Sequence, residues 1–470
     1  MKRFLILLLL AAAGTAQAKV TLPALFGDNM VLQQQREVRI WGESDAPQVV
    51  LTPSWSAEPV RAEVHDGRWE ATIATPAGSF EPQTLTVADR DSALTLRNVL
   101  IGEVWICSGQ SNMYIPLRGF TGQLVEEGLT TALASPLYRD RIRMITLPKR
   151  EAETPQRDFE GHWTVPSPAA TLRMSAVAYF FARTLTDALG VPVGIVSASW
   201  GGSKIEAWMD AASLRELGYD VERINADPAI EVRKQCCKLY NGLIAPVAGF
   251  AARGFVWYQG ESNLAEADRY ARLMERMTAY WRTQWGDDRA QMPLLYVQIA
   301  PHAYKDARGT EAALLVEAQA DALALIPRSA MVSTTDVGEE GCIHPARKRP
   351  VGERLAAAAL GMAYGVKLPD AAAVRFAGAE FADGKAIVRF DNARYGLTPR
   401  LGAVEGFELA GRDGVFHPAV GRVVPLKPLV EVTSEEVPEP VAVRYAFRNF
   451  TPATLANTLG MPVVPFRSDR

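Results

Sequence analysis

The chain has 470 residues, a formal charge of −3, 48% hydrophobic and 22% charged residues, an ordinary globular composition that excludes a disordered, collagen-like or supercharged polymer. At about 150 residues per domain this length predicts two to three domains, enough to bury a large core and still spare surface for a site. No dense basic run stands beyond Lys348-Arg349 and its neighbours, which argues against nucleic acid and anionic membrane as partners.

Residues 1–18, MKRFLILLLLAAAGTAQA, place Lys2 and Arg3 before an apolar run that ends in Ala16-Gln17-Ala18. This is how a secretory signal cleaved after Ala18 is built, and the apolar stretch falls short of the ~20 residues that cross a bilayer. Export to the periplasm or the extracellular space is therefore expected, and no later segment is apolar enough to span. In an oxidising compartment Cys107, Cys236, Cys237 and Cys342 could form two disulfides, by pairings that the sequence does not choose between. The five histidines are scattered without metal-ligand spacing, so no metal site is expected.

From Val20 to about Asn98 the chain reads as short strands, Val38–Gly42, Val49–Leu51, Arg61–Val64 and Arg68–Ile73, with Asp66-Gly67 as a hairpin turn. A small antiparallel sandwich over 19–98 is the expected first module. Between 99 and 366 the rhythm changes. Apolar strands at Val99–Ile106, Val193–Ser199, Gly254–Tyr258, Leu294–Ile299 and Ala330–Thr334 alternate with helical stretches at Met174–Leu189, Leu264–Trp285 and Val351–Tyr364. This alternation predicts an α/β domain built on a doubly wound parallel sheet, with ligands off the carboxyl ends of its strands. Short strands return from 367 to 470, for example Ala386–Phe390 and Ala442–Tyr445, as a closing β-rich module.

Four strand ends concentrate the chemistry. The first strand runs into Gly109-Gln110-Ser111-Asn112-Met113. A serine just past a strand end can raise its hydroxyl at the rim of the sheet as a nucleophile, or it can simply cap the next helix. Met113 stands where the second glycine of a Gly-x-Ser-x-Gly elbow would be, which counts against the common α/β-hydrolase type. The second segment, Trp200-Gly201-Gly202-Ser203-Lys204-Ile205-Glu206-Ala207-Trp208, offers a bare backbone N–H to an oxyanion, or is a tight turn with no ligand. The third, Trp257-Tyr258-Gln259-Gly260-Glu261-Ser262-Asn263, is costly to bury unless its groups bond one another or a substrate; its amides could donate to an oxyanion or cap the loop. The fourth is Ile343-His344-Pro345. A histidine in the last loop of the same sheet can come over the serine as general base, although a lone histidine more often has no catalytic role. The coincidence of all four on one rim is what favours an active site.

Together these four segments resemble the sialate O-acetylesterase family, a branch of the SGNH hydrolases. Leu25–Gln33, Leu239–Ile244 and Val443–Ala446 look like further family signatures, so the likeness covers nearly the whole mature chain. The resemblance implies a flavodoxin-like, SGNH-hydrolase-like sheet flanked by the two β-rich modules, and a serine esterase that removes O-acetyl groups from carbohydrates without a cofactor. Carried over by position, Ser111 matches the acyl-accepting serine and His344 the base. Gly202 and Gln259 or Asn263 match the oxyanion region, with the Ser111 N–H as a further donor. O-acetylated sialic acids are the implied substrate. Acetylxylan-type polysaccharides are the alternative, and a carbohydrate-binding protein with a decayed site is another. A lipase or peptidase of similar chemistry would need an acyl groove or peptide-binding edge that the sequence does not display. One departure matters: the family often shows Asp-Ile-His-Pro, with an SGNH aspartate three residues before the histidine, and these positions hold Cys342 and Gly341. Asp336, Glu339, Glu340 or a backbone carbonyl are then the candidates to orient the imidazole. The aromatics near the motifs (Trp105, Trp200, Trp208, Trp257, Tyr258) suit sugar stacking, but core positions are the favoured reading.

Overall fold

The computed structural model describes residues 19–470, so the expected signal segment 1–18 lies outside the described residues. The first module is built from β1 (Val31–Gln33), β2 (Glu37–Glu43), β3 (Gln48–Pro53), β4 (Val60–Glu63), β5 (Arg68–Ala74) and β6 (Ser79–Ala88). Strands β2 and β5 pair with each other, and β4-β3-β6 form a second antiparallel layer. Alternate residues point inward, as the period of a half-buried strand requires, and Val38, Ile40, Ala71 and Ile73 meet Val49, Leu51, Leu85 and Val87 in one core. Asp66 and Gly67 both have positive φ, 51° and 75°, which suits the predicted turn. Reciprocal backbone bonds between His65 and Arg68, 2.8 and 3.0 Å, close it as a two-residue hairpin, beyond which β4 and β5 pair into different layers.

The expected boundary after residue 98 falls inside one element. Strand β7 runs unbroken from Ala93 to Gly109. Its first half pairs antiparallel with β6 and its second half lies parallel to its neighbours in the central sheet. The remaining central strands are β8 (Ile142–Thr146), β9 (Val193–Ser199), β10 (Gly254–Tyr258), β11 (Leu294–Val297) and β12 (Ser329–Val332). They assemble in the order β8-β9-β7-β10-β11-β12, all parallel. Along β7, Trp105 and Cys107 pack with the helices Ala176–Leu189 and Arg349–Ala363. Val104 and Ile106 belong to the core that includes the helices Ala267–Gln284 and Glu311–Leu325. Both faces are covered, which is why these strands read as continuous apolar runs rather than alternating ones.

A seven-stranded antiparallel sheet from Arg375 to Arg467 closes the chain around its own core, including Val388, Phe407 and Tyr445. It is tied to the central domain by Arg467, whose guanidinium makes a two-pronged contact with Glu317 at 2.8 and 3.0 Å. All four cysteines are free thiols. Among the described residues no helix is long and apolar enough to cross a membrane.

Candidate active site

Register brings three of the four segments together. Gly109, the last residue of β7, lies opposite Ser199 of β9 and Tyr258 of β10. The ladder continues one step further, with Trp200 N–H donating to the Gly109 carbonyl at 3.0 Å and Gln110 N–H to the Tyr258 carbonyl at 2.9 Å. Glycine is needed at 109: φ is 138°, and a Cβ there would stand 2.2 Å from the Tyr258 carbonyl oxygen. This close approach sets the serine loop, the paired glycines and the polar third segment side by side.

Ser111 opens the short helix Ser111–Tyr114, and Gln110, not the serine, occupies the capping position, without a side-chain cap. As the first helical residue its N–H has no intrahelical acceptor. The serine side chain is partly exposed and its hydroxyl makes no hydrogen bond among the described residues, so the capping alternative does not describe it. A Cβ on Gly201 would lie 3.2 Å from that of Ser111, which puts the paired glycines directly against the serine. Gly202 takes the left-handed conformation, φ 72°, against Arg233. Neither the Ser111 nor the Gly202 N–H has a backbone acceptor among the described residues.

His344 is half-buried. Its Nδ1–H donates to Gln123 Oε1 at 2.7 Å, and its ring meets Phe120 edge-on at 5.3 Å. Burial, followed by the repulsion of Lys348 and then of His302, pushes the imidazole down to about 4. At neutral pH it is therefore an uncharged ring, with Nδ1 committed and Nε2 carrying a lone pair. No hydrogen bond joins Ser111 to His344 in this state among the described residues. What joins their loops is Asn112, fully buried, whose Nδ2 donates to the Ile343 carbonyl at 3.0 Å and to Glu261 Oε1 at 2.6 Å.

The orienting group is not among the candidates read from the sequence. Asp336 is gripped by Arg354 through two contacts of 2.7 Å. Glu339 accepts the Ala346 N–H at 2.6 Å, and Glu340 is exposed. Gly341 is exposed, and the Cys342 thiol donates to the His344 carbonyl at 3.3 Å. Gln123 fills the role from a tight turn closed by reciprocal backbone bonds with Phe120, 3.0 Å each. Nothing in its local sequence marks it.

The expectation for Gln259 and Asn263 is corrected by their geometry. Gln259 is fully buried; its amide donates to the Ser203 carbonyl at 3.0 Å and to Asn263 Oδ1 at 2.8 Å, while its oxygen accepts from Tyr270. Asn263 donates to Glu206 and Glu266, 2.9 Å each, and accepts the Ile205 N–H at 3.0 Å. With both amide hydrogens committed, neither side chain has a donor left for an oxyanion. They clamp the Gly202 loop to the third segment. Trp105, Trp208, Trp257 and Tyr258 are fully buried core residues, and only Trp200 of that group is partly exposed. A cleft of about 840 Å³ between the first module and the segment around Pro246, lined by Arg39, Trp41 and Arg157, includes none of the four segments.

Comparison with known proteins places the chain in a family. Residues 101–361, more than half of the chain, match the family described as carbohydrate esterase, sialic acid-specific acetylesterase. The chain is similar to the sialate O-acetylesterase of Homo sapiens, 27% identical over 373 residues, 72% of this chain and 70% of that one. The Mus musculus protein of the same name is 30% identical over 343 residues, 62% of each chain. Among solved structures, a carbohydrate acetylesterase from Xanthomonas citri superposes with a TM-score of 0.86 at 36% identity, covering 96% of this chain and 100% of that one. The chain belongs to the sialic acid-specific acetylesterase family of carbohydrate esterases.

Proposed function

We propose that Ser111 and His344 carry out a two-step acyl transfer that removes O-acetyl groups from sugars, with O-acetylated sialic acids as the substrate class. His344 Nε2 takes the hydroxyl proton while Ser111 Oγ bonds to the acetyl carbonyl carbon. The tetrahedral oxyanion accepts from the N–H groups of Ser111 and Gly202. Collapse breaks the ester bond, and the sugar oxygen leaves with the proton held by His344. Water then attacks the acetyl-serine, gives its proton to the same imidazole, and acetate departs as the serine oxygen regains a proton. No metal or organic cofactor enters these steps.

The observation that carries this reading is the 2.7 Å bond from His344 Nδ1–H to Gln123. It selects the tautomer whose Nε2 is a base, the task an aspartate performs in a Ser-His-Asp triad. The serine and imidazole need not touch before substrate binds, because such contacts commonly tighten in the loaded enzyme. Helices against both faces of the parallel sheet support the doubly wound, SGNH-hydrolase-like assignment, and 19–98 and 367–470 then serve as flanking β-rich modules. Export through the leader at 1–18 fits an enzyme that meets glycans outside the cytoplasm.

Arg233 favours an acidic sugar. Its Nε would lie 2.9 Å from a Cβ on Gly202, and Glu231 is shared between Arg233 and Lys234, so this trio keeps one net positive charge beside the oxyanion position. A sialic acid carboxylate would meet that charge, and a neutral xylan would not. Acetate release from acetylated sialic acids and from acetylated xylan, with Ser111→Ala and His344→Ala beside the wild type, tests the proposal. Release from the sialates that both substitutions abolish is expected; release from xylan alone removes the sialate assignment. Absence of any esterase activity in the wild type leaves a carbohydrate-binding protein.

A further inference from the structure

Beneath the serine lies a buried chain of charge. Lys348 Nζ donates to Asn112 Oδ1, and Asn112 Nδ2 donates to Glu261 Oε1 at 2.6 Å. Lys348 and Asn112 are fully buried and Glu261 is 8% exposed. No direct ion pair joins the lysine and the glutamate among the described residues, so one asparagine amide mediates between a buried ammonium and a buried carboxylate. The second carboxylate oxygen of Glu261 has no hydrogen-bond partner among the described residues. Burying both charges is expensive, and apolar side chains of similar volume commonly stabilise such a site better. The arrangement therefore calls for a use beyond holding the fold.

We propose that Lys348 is a positioning residue for the acyl transfer, pinning the serine loop to the histidine loop through Asn112 and placing a positive charge beside His344. The proposal rests on the assignment of Ser111 as nucleophile and His344 as base. Asn112 directly follows the nucleophile, and its amide bridges Lys348 and Ile343, which flank the imidazole in the chain. Fixing Asn112 thus fixes the separation of the two reacting groups, a geometry on which acyl transfer depends steeply.

The charge has a second effect. Around His344 stand Gln123 and Phe120 from the turn after the serine helix, His302 from the loop after β11, and Lys348 and Cys342 from its own loop. No carboxylate is hydrogen-bonded to the ring among the described residues, and Lys348 is the larger of the two charge contributions to it. Around Lys348 stand Asn112, the Tyr258 ring at 5.9 Å, Glu261, Cys342 and Glu339. Burial draws the lysine down to about 7, against the pull of Glu261. In the acid range where the imidazole titrates the ammonium is charged, and its repulsion adds to the larger effect of burial in keeping His344 available as a base.

The test is the pH profile of kcat/KM for acetate release by the wild type, Lys348→Met, Lys348→Arg and Ser111→Ala, with thermal melts to establish folding. Lys348→Met fills the same space without charge or donor. It is expected to lower kcat by about tenfold or more with little change in KM, and to move the acid limb up from about 4, burial still holding it below the 6.5 of an ordinary imidazole. Lys348→Arg keeps the charge, so its acid limb stays where the wild type has it even if its bulk slows turnover. A folded Lys348→Met with wild-type kcat, or with its acid limb unmoved, overturns the proposal. So does an upward shift in Lys348→Arg, which decides the matter should the methionine variant not fold. Acetate release by Ser111→Ala would instead overturn the underlying assignment of the nucleophile, whatever the lysine variants do.

Discussion

Replacing Gln123 by leucine removes the one hydrogen bond to the His344 ring among the described residues while leaving a side chain of similar size in the turn. In the resting enzyme the lost bond is neutral and worth about 0.5–1.5 kcal/mol. In the transition state the ring becomes imidazolium, and a hydrogen bond from a charged donor is worth about 1.5–3 kcal/mol. Only the difference, about 1–1.5 kcal/mol, enters kcat, so at about 1.4 kcal/mol per factor of ten Gln123→Leu should lose roughly 5- to 13-fold in kcat, with KM little changed. Gln123→Glu makes the opposite perturbation. A carboxylate 2.7 Å from Nδ1 stabilises the imidazolium, so the acid limb of kcat/KM should move up from about 4 towards or beyond 6.5. Acetate release over pH 3.5–8, with about the same enzyme concentration throughout, reads both effects. A leucine variant with wild-type kcat, or a glutamate variant whose acid limb has not moved, would refute the claim that Gln123 orients the base.

The depressed imidazole also links stability to pH. His344 titrates at about 4 when folded and near 6.5 when unfolded, so between these values the unfolded chain binds the extra proton. Stability is therefore present above about pH 6.5 and is lost as pH falls towards 4, by at most about 3 kcal/mol. Urea melts at pH 7 and 4.5 should show that loss shrinking in His344→Gln; an equal loss in both proteins contradicts it. Arg233→Met should raise KM for an acetylated sialic acid by about tenfold, as expected for one lost charge-assisted contact, and leave KM for acetylated xylan within twofold or so. Equal effects on the two substrates would show that the guanidinium does not read the sugar's charge.

Much of the fold was legible because the central strands are buried on both faces. Val193–Ser199 and Gly254–Tyr258 stand in the structure at the limits read from the sequence, bounded by their glycine-rich ends. Strand β8, Ile142–Thr146, escaped notice because five residues between loops carry little periodicity. The helix Glu311–Leu325 escaped because alanine and leucine are spread around it with little contrast between its faces. The module boundary at 98 was misleading for a different reason: one strand serves two sheets, and neither composition nor turn chemistry changes where it passes from one to the other.

The candidate site was legible to the extent that backbone ends announce themselves. Glycines at 109, 201 and 202 mark places where chain approaches chain, and the register of β9, β7 and β10 gathers them. Which amides are spent and which are free is a tertiary property. Gln259 and Asn263 look alike in sequence to oxyanion donors, yet Tyr270, Glu206 and Glu266 consume their hydrogen-bonding capacity. Gln123 approaches His344 across a separation of 221 residues, and a glutamine in a polar turn carries no local sign of that contact. Lys348 reads in the sequence only as part of a short basic run, and its burial beside Asn112 appears with the fold.

The most direct test of the account is to trap the acetyl group in transit. Rapid acid quench of the enzyme during turnover of an acetylated sugar, followed by peptide mass mapping, should find one acetyl group on Ser111 in the wild type and none in Ser111→Ala, which releases no acetate. An acetyl group on another residue, or undiminished acetate release from Ser111→Ala, would contradict the account.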